Sequence, residues 1–387
     1  MLNTLIIKNA MQRLGLTQAA LAKHCDVSKE AVSNWLSGEN IPRPNKLKVL
    51  AEALQVTISA LLEEQSSSQG PVVAYRTRQN RPVTGEASEA AYDVGQHLEQ
   101  LVPFIQRDTV FAPSVLVEPS LNSEYIREAA RQVRSRIGLT QTEPLTRAQL
   151  LELLHDFGAI LVPVLWGKER DGHENALSVY LPDSKISWVV FNLNARDDDF
   201  NYWLAHELGH CYTLHKLQGD DGETFAEKFA QELLFPLEAA SDALAVISSD
   251  PTPRERANWF AGKYEVSVVT IIKQADAAAA LKNLPATGLA TRSFWASWKT
   301  SRHLVPTLTD TFFGKESLSA AEYVLKCEDE YKTPIFRALS KWQHANEGRS
   351  PAFIAGALNI EINQAFELSH FLMSIEVPSA IDVDLAE

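Results

Sequence analysis

The run Ala205–Cys211, AHELGHC, holds two histidines four residues apart with a glutamate directly after the first: His206, Glu207 and His210. Residues four apart on a helix sit one turn above each other, so both imidazoles can reach one metal ion. Glu207 points partly toward the same place. There it can take a proton from a water whose pKa a zinc ion lowers to about 7. The chemistry implied is metal-assisted hydrolysis, and it needs a third ligand. An HExxHxxGxxH continuation would place glycine at 213 and histidine at 216, but the chain has Thr213 and Lys216. His215 falls off the ligand face and reads as a structural histidine. A carboxylate on the following helix is the other route, with Glu223 and Glu227 as candidates. At about 100° per residue, the apolar face of Ala226, Phe229, Ala230, Leu233 and Leu234 centres about 50° from Glu223 and about 90° from Glu227. Glu223 therefore tips further toward the interior, where an unpaired carboxylate is costly and a ligand is welcome. The angle favours Glu223 without excluding Glu227. Cys211, next to the second histidine, reads as a buried inert thiol.

A second chemistry stands near the N-terminus. In TQAALAKHCDVSKEAVSNWLSGENIPRP, two helices join through a tight turn around Cys25–Val27, and Ala20, Leu21, Val32 and Trp35 fall where they pack together. Such a unit lays its second helix in the major groove of DNA, with the first residues of that helix facing base edges. Those residues are Ser28, Lys29, Glu30, Ser33 and Asn34. Lys29 can donate to guanine, Asn34 can pair adenine bidentately, and Glu30 can accept from cytosine. Gln18 can reach phosphate or base, and Arg43 and Lys46 are the expected phosphate contacts.

The elements that must position these groups make an α+β chain. Residues 1–64 read as five short helices, with Thr17, Ser28 and Thr57 at N-caps and Gly15 and Gly38 at stops. The polar QSSSQGP that follows reads as a linker, and 65–122 as a connecting segment with VVAYR as a short strand and SEAAYDVGQHLEQLVPFI as a helix. From 123 to 289, helices flank three strand-like runs, GAILVPVLW, ALSVYL and SWVVFNL. The HExxH helix comes next, then ETFAEKFAQELLF ended by Pro236, and then RERANWFAGKYEVSVVTIIKQADAAAALK, again helical. Residues 290–387 read as a helical C-terminal region. Its segment SPAFIAGALNIEINQAFELSHFL has the outline of a second helix-turn-helix, but its few basic residues make it a packing element.

Composition narrows the classes. With 45% hydrophobic and 22% charged residues over 387 positions, the chain reads as globular, and no apolar run approaches the roughly 18 residues of a membrane helix. The opening MLNTLIIKNAM has no basic stretch before its apolar residues, so no secretory signal is expected. Cys25, Cys211 and Cys327 are three, far apart and without CxxC spacing, which reads as reduced thiols in a cytoplasm. The net charge of -13 is uneven: residues 1–81 hold 10 Lys+Arg against 6 Asp+Glu, the rest 26 against 43. A mildly basic head on an acidic body suits a chain that meets phosphate at one end.

Two resemblances follow from these motifs. LTQAALA, the turn, VSxxxVSxWLxG and the trailing LAEALxV resemble the Xre family of phage-repressor helix-turn-helix domains over most of positions 3–62. The strands, LAHELGHCYTLH and ETFAEKFAQELLFP resemble the ImmA/IrrE metallopeptidase family over roughly 123–280. Phe235 stands there in place of the more usual methionine. That second resemblance implies a zincin-like domain, a small sheet plus the HExxH helix. It also implies a zinc ion on His206, His210 and Glu223, with Glu207 as the catalytic base.

Together they imply a cytoplasmic transcriptional regulator that binds double-stranded operator DNA, by default as a homodimer. Its endopeptidase domain would cleave a repressor, a partner or its own linker under stress. An edge strand among residues 176–193 is expected to pair with an extended substrate segment, and Tyr202, Tyr212 and His173 are candidate oxyanion donors. Two rival readings stand beside this one. The first is a ligand-sensing transcription factor whose zincin-like domain is not proteolytic. The second is the antitoxin of a toxin–antitoxin pair.

Overall fold

The computed structural model describes residues 4–14, 16–37, 40–54, 56, 61, 70–75, 85–105, 114–165, 176–314, 318–346 and 351–375. The chain forms two compact units, Met1–Gln69 and Gly70–Glu387. Among the described residues the fold is α+β, mostly helical with one four-stranded sheet.

The first unit contains α1 (Thr4–Arg13), α2 (Gln18–Cys25), α3 (Lys29–Ser37) and α4 (Pro44–Leu54). The Thr17 hydroxyl accepts from Ala20 N at 3.2 Å and opens α2, and Ser28 Oγ accepts from Ala31 N at 3.1 Å to open α3. α2 closes on Asp26 in the left-handed region at φ 48°, where Asp pays less than a branched residue would. Leu21, Val32 and Trp35 are buried and Ala20 is half-buried, so the two helices meet along the expected seam. The fifth helix expected over ISALLEE, with Thr57, lies outside the described residues apart from Leu61. Gly15 and Gly38 lie outside them too.

The second unit is built on β1 (Val72–Tyr75), β2 (Ile160–Val164), β3 (Ala176–Leu181) and β4 (Ile186–Asn192), in the order β1-β3-β4-β2. β2 and β4 are parallel; the other two pairings are antiparallel. All seven residues of β4 are buried, which is why SWVVF reads as a continuous apolar run rather than an alternation. The strand order corrects the expectation of an edge strand among residues 176–193. β1, from the stretch expected to be connecting segment, pairs along β3 and makes both β3 and β4 interior.

The helices of this unit are α5 (Gly85–Leu101), α6 (Ser123–Arg136), α7 (Arg147–Phe157), α8 (Asp197–Thr213), α9 (Gly219–Leu234), α10 (Leu237–Ser249), α11 (Pro253–Tyr264), α12 (Val268–Leu281), α13 (Arg292–Ser301), α14 (Leu308–Phe313), α15 (Ala320–Tyr331), α16 (Ile335–Ala345), α17 (Ala352–Leu358) and α18 (Ile362–Ser374). The helical run RERANWFAGKYEVSVVTIIKQADAAAALK divides into two helices. Glu265 at φ 51° ends the first, and Ser267, accepting from Thr270 N, opens the second.

The boundaries expected at 122/123 and 289/290 are not breaks in packing. One apolar cluster runs from Ala91 to Leu372. α5 packs on β1, β3 and α17, while α15 and α16 pack on β2. The far edge of β2 is met by hydroxyls from the C-terminal helices: Tyr323 Oη donates to Pro163 O at 2.5 Å, and Thr333 Oγ1 donates to Leu161 O. The helix-turn-helix outline at 351–372 is thus a packing element, α17 lying on α5 and α18 on α16.

Candidate metal centre and nucleic-acid interface

α8 begins with Asp197, Asp198 and Asp199, three carboxylates at the positive end of the helix dipole. Arg302 donates to Asp198 at 2.5 Å and to Asp199, and Arg147 donates to Asp197 at 2.7 Å and to Asn201 at 3.1 Å. These pairs fix the start of α8 to α7 and to the turn after α13. One turn later come Tyr202 and Trp203, then His206, Glu207 and His210, which are 1–2% exposed.

α9 crosses α8 closely because Gly209 carries no side chain. A Cβ built there would lie 2.9 Å from Ala226 Cα and 3.3 Å from both Ala226 Cβ and Phe229 Cδ1. The buried Arg134 of α6 holds the other end of α9. It donates to Leu233 O at 2.6 Å, to Thr140 O at 2.6 Å and to Glu143 O. With both ends placed, Glu223 turns toward α8.

Three donor atoms converge. His206 Nε2 lies 3.1 Å from His210 Nε2 and 3.3 Å from Glu223 Oε2, and His210 Nε2 lies 3.1 Å from Glu223 Oε1. Tetrahedral ligands at about 2.0–2.1 Å from a zinc ion stand about 3.3–3.4 Å from each other. The spacing and the donor types fit a divalent ion of that kind, and the same set suits other divalent metals. Burial alone would push the Glu223 carboxyl up. The bonds from His206 and His210, and their charge, outweigh it and hold the group well below the usual carboxylate range.

The other candidates separate. Glu227 is half-buried and lines a small cleft with Tyr202, Trp203, Gln231 and Lys273, outside the three-donor cluster. His215 is also outside it, and burial lowers its pKa. Cys211 is buried, and burial together with the nearby Glu207 charge raises its thiol far above the ordinary range. Tyr202 stacks beside His206 with ring centroids 6.4 Å apart. Tyr212 faces Phe157 and Phe229 in the core, its hydroxyl pushed up to about 12 by burial, so it does not serve the site. His173 lies outside the described residues.

One neighbour of the candidate site was not foreseen. Ser178, in the middle of β3, donates its hydroxyl to Glu207 Oε2 at 2.5 Å. Its signal in the sequence was its oddity, a small polar residue inside the apolar ALSVYL.

In the first unit, Gln18, Ser28, Lys29, Glu30, Ser33 and Arg43 are exposed and Asn34 is half-buried. The outward face of α3 therefore carries Lys29, Glu30 and Ser33, opposite Val32, Trp35 and Leu36 in the core. Ser28 spends its oxygen on the cap of α3. Lys46 corrects the expected phosphate contact. Its Nζ donates to Cys25 O and Asp26 O, both at 2.9 Å, and to Asp26 Oδ2 at 3.3 Å, tying α4 to the turn.

Comparison with family models bears on this unit as a whole. Residues 7–61 match the model described as helix-turn-helix. The head is a helix-turn-helix domain. It supports a DNA-binding transcriptional regulator with double-stranded DNA as partner. No curated protein and no solved structure matches the chain. Among the described residues, no helix is long and apolar enough to cross a membrane.

Proposed function

We propose that this regulator carries, in its second unit, a metal-dependent endopeptidase of the ImmA/IrrE type that cleaves a repressor, a partner or its own linker. The observation that carries the reading is the convergence of His206, His210 and Glu223 at 3.1–3.3 Å beside Glu207. His206, His210 and Glu223 would hold a divalent ion, which would supply Lewis acidity and ease the ionisation of a water near neutral pH. Glu207 takes the proton of the attacking water and returns it to the leaving amine. The Ser178 hydroxyl fixes which way the Glu207 carboxylate faces. Tyr202, beside His206, is the oxyanion donor this reading retains. Removing the linker-borne head from the body weakens operator binding if paired half-sites depend on a homodimer.

The test is metal content and cleavage together. Purified protein should hold about one zinc per chain, a stoichiometry expected for a His2Glu site. Glu223→Ala should lose the metal, whereas Glu207→Gln should keep it. Cleavage of the helix-turn-helix segment should vanish in both. Metal retained without any Glu207-dependent cleavage, even with extract from stressed cells, refutes the peptidase.

A second reading is favoured by one specific observation. A cleft of about 720 Å³ lies at the start of α8 and not at the three-donor cluster. Arg147, Asp197, Asp198, Glu265, Trp298 and Arg302 line it. A small molecule there would bear directly on the pairs that anchor α8, which suits a ligand-responsive transcription factor without proteolysis. Retained metal, no cleavage and ligand-dependent DNA affinity would select it.

A further inference from the structure

β3 is the strand that touches the candidate catalytic group, through Ser178 and Glu207. In the order β1-β3-β4-β2, its outer edge is taken by β1. The pairing is antiparallel, Val72 opposite Tyr180, Val73 opposite Val179, Ala74 opposite Ser178 and Tyr75 opposite Leu177. Ala74 thus sits directly across from the serine that holds Glu207, and it is buried. β1 also touches α9, the helix that carries Glu223. In this arrangement His206, Glu207 and His210 are each 1–2% exposed, and of the four only Glu223, its side chain 29% exposed, reaches solvent appreciably.

A peptide hydrolase must hold the peptide it cuts in an extended form. Pairing it with a sheet edge beside the catalytic group does this with main-chain hydrogen bonds and little demand on side chains. The edge that lies beside Glu207 is the β3 edge, and a strand of this same chain already fills it.

We propose that β1 is a resident strand in the place an extended peptide substrate takes, and that the site opens only when β1 leaves the β3 edge. The proposal rests on the peptidase reading. It explains why a site with a full donor set is closed. The occupant is short, four residues of Val-Val-Ala-Tyr, so it contributes few ladder bonds of its own. It is steadied instead by Pro71, which lies so close to Gly95 of α5 that a Cβ there would meet it at 2.4 Å. β1 begins three residues after Gln69, where the first unit ends. The substrate class that follows is an extended, largely apolar segment, one able to replace Val72–Tyr75 in antiparallel pairing with β3.

The test uses the full chain with Glu207→Gln, so that binding is read without cutting. The probe is a fluorescein-labelled peptide of residues 70–77, followed by anisotropy. One variant, Val73→Pro, removes a backbone N–H and cannot pair normally in a sheet. A second, Val72→Cys with Tyr180→Cys, joins two directly opposed residues; such pairs lie about 4.5–5.5 Å apart at Cα, within disulfide reach. Val73→Pro should bind the peptide at least tenfold more tightly than the parent. The oxidised pair should bind it at least tenfold more weakly than the same protein reduced. If Val73→Pro does not fold, as judged by its melting curve, the oxidised and reduced comparison still decides. Equal affinity in the oxidised and reduced forms overturns the proposal. Exchange at the β3 edge with no cleavage by the wild-type Glu207 protein would uphold the resident strand and sink the peptidase reading, so the two failures are distinct.

Discussion

Gly209→Ala adds one methyl group to the contact that lets α9 approach α8. The new Cβ would lie 2.9 Å from Ala226 Cα and 3.3 Å from Ala226 Cβ and Phe229 Cδ1. Carbon atoms settle at about 3.5–4.0 Å, so α9 must retreat by about 0.5–1 Å. Ligand distances at a metal tolerate only about 0.2 Å. Glu223 rides on α9, so the retreat takes its carboxylate out of reach of an ion that His206 and His210 would hold. On helix propensity alone, alanine should stabilise this position by about 1 kcal/mol. Overpacking costs about 1–3 kcal/mol, and so the net change should be a loss of up to about 2 kcal/mol. Zinc affinity should fall by about 10- to 100-fold, the scale seen when support for a ligand is lost. Competition with a chromophoric chelator measures the affinity, and thermal melts with and without zinc measure stability. An unchanged zinc affinity in a protein that melts like the parent would refute the claim that this close approach sets the donor geometry.

Further outcomes follow from the head and from one carboxylate of the body. Arg43→Ala should reduce the slope of log affinity against log salt by about one, as expected for a lost phosphate contact. Lys46→Met should leave that slope alone but loosen the α2–α3 turn, read as faster amide exchange over residues 18–37. The reverse pattern would restore Lys46 to the DNA face. Glu232 has its carboxyl pushed up to about 6 by burial, partly offset by the bond it accepts from Leu237 N. A carboxyl raised on folding favours the folded state below its unfolded value near 4.5, and that contribution is lost as pH rises through 6. Glu232→Gln should therefore flatten the stability profile between about pH 4.5 and 6 and stabilise the protein by about 1–2 kcal/mol at pH 7. A profile as steep as the parent's would mean that Glu232 is not the group titrating there.

Local periodicity made much of this legible. The three-and-four spacing of the head, the i,i+4 histidines and the tilt of Glu223 on its helix depend on neighbours in sequence, and they point where the structure puts them. What depends on distant partners left no such trace. Ser178 and Glu207 are 29 residues apart, and only the register of β3 against α8 brings them together. Lys46 looked like any exposed cation until α4 brought it under the carbonyls of Cys25 and Asp26. Arg302 is more than 100 residues from the aspartates it pairs with. The short VVAYR gave no sign of whose partner it would be. The C-terminal helices read as a separate region because apolar stripes tell that a helix packs, not against what.

The hydroxyls of Tyr323 and Thr333 bear on solubility. A parallel strand with an open flank is a template for any other chain, and β2 (Ile160–Val164) is apolar along its whole length. Two side-chain donors from α15 and the turn before α16 occupy carbonyls on that strand without adding another strand of their own. The sheet thus ends on hydroxyls rather than on a fifth ladder that would itself need covering. A fragment truncated near residue 289 would bare that flank, and its fate would be self-association through β2 rather than a smaller folded body.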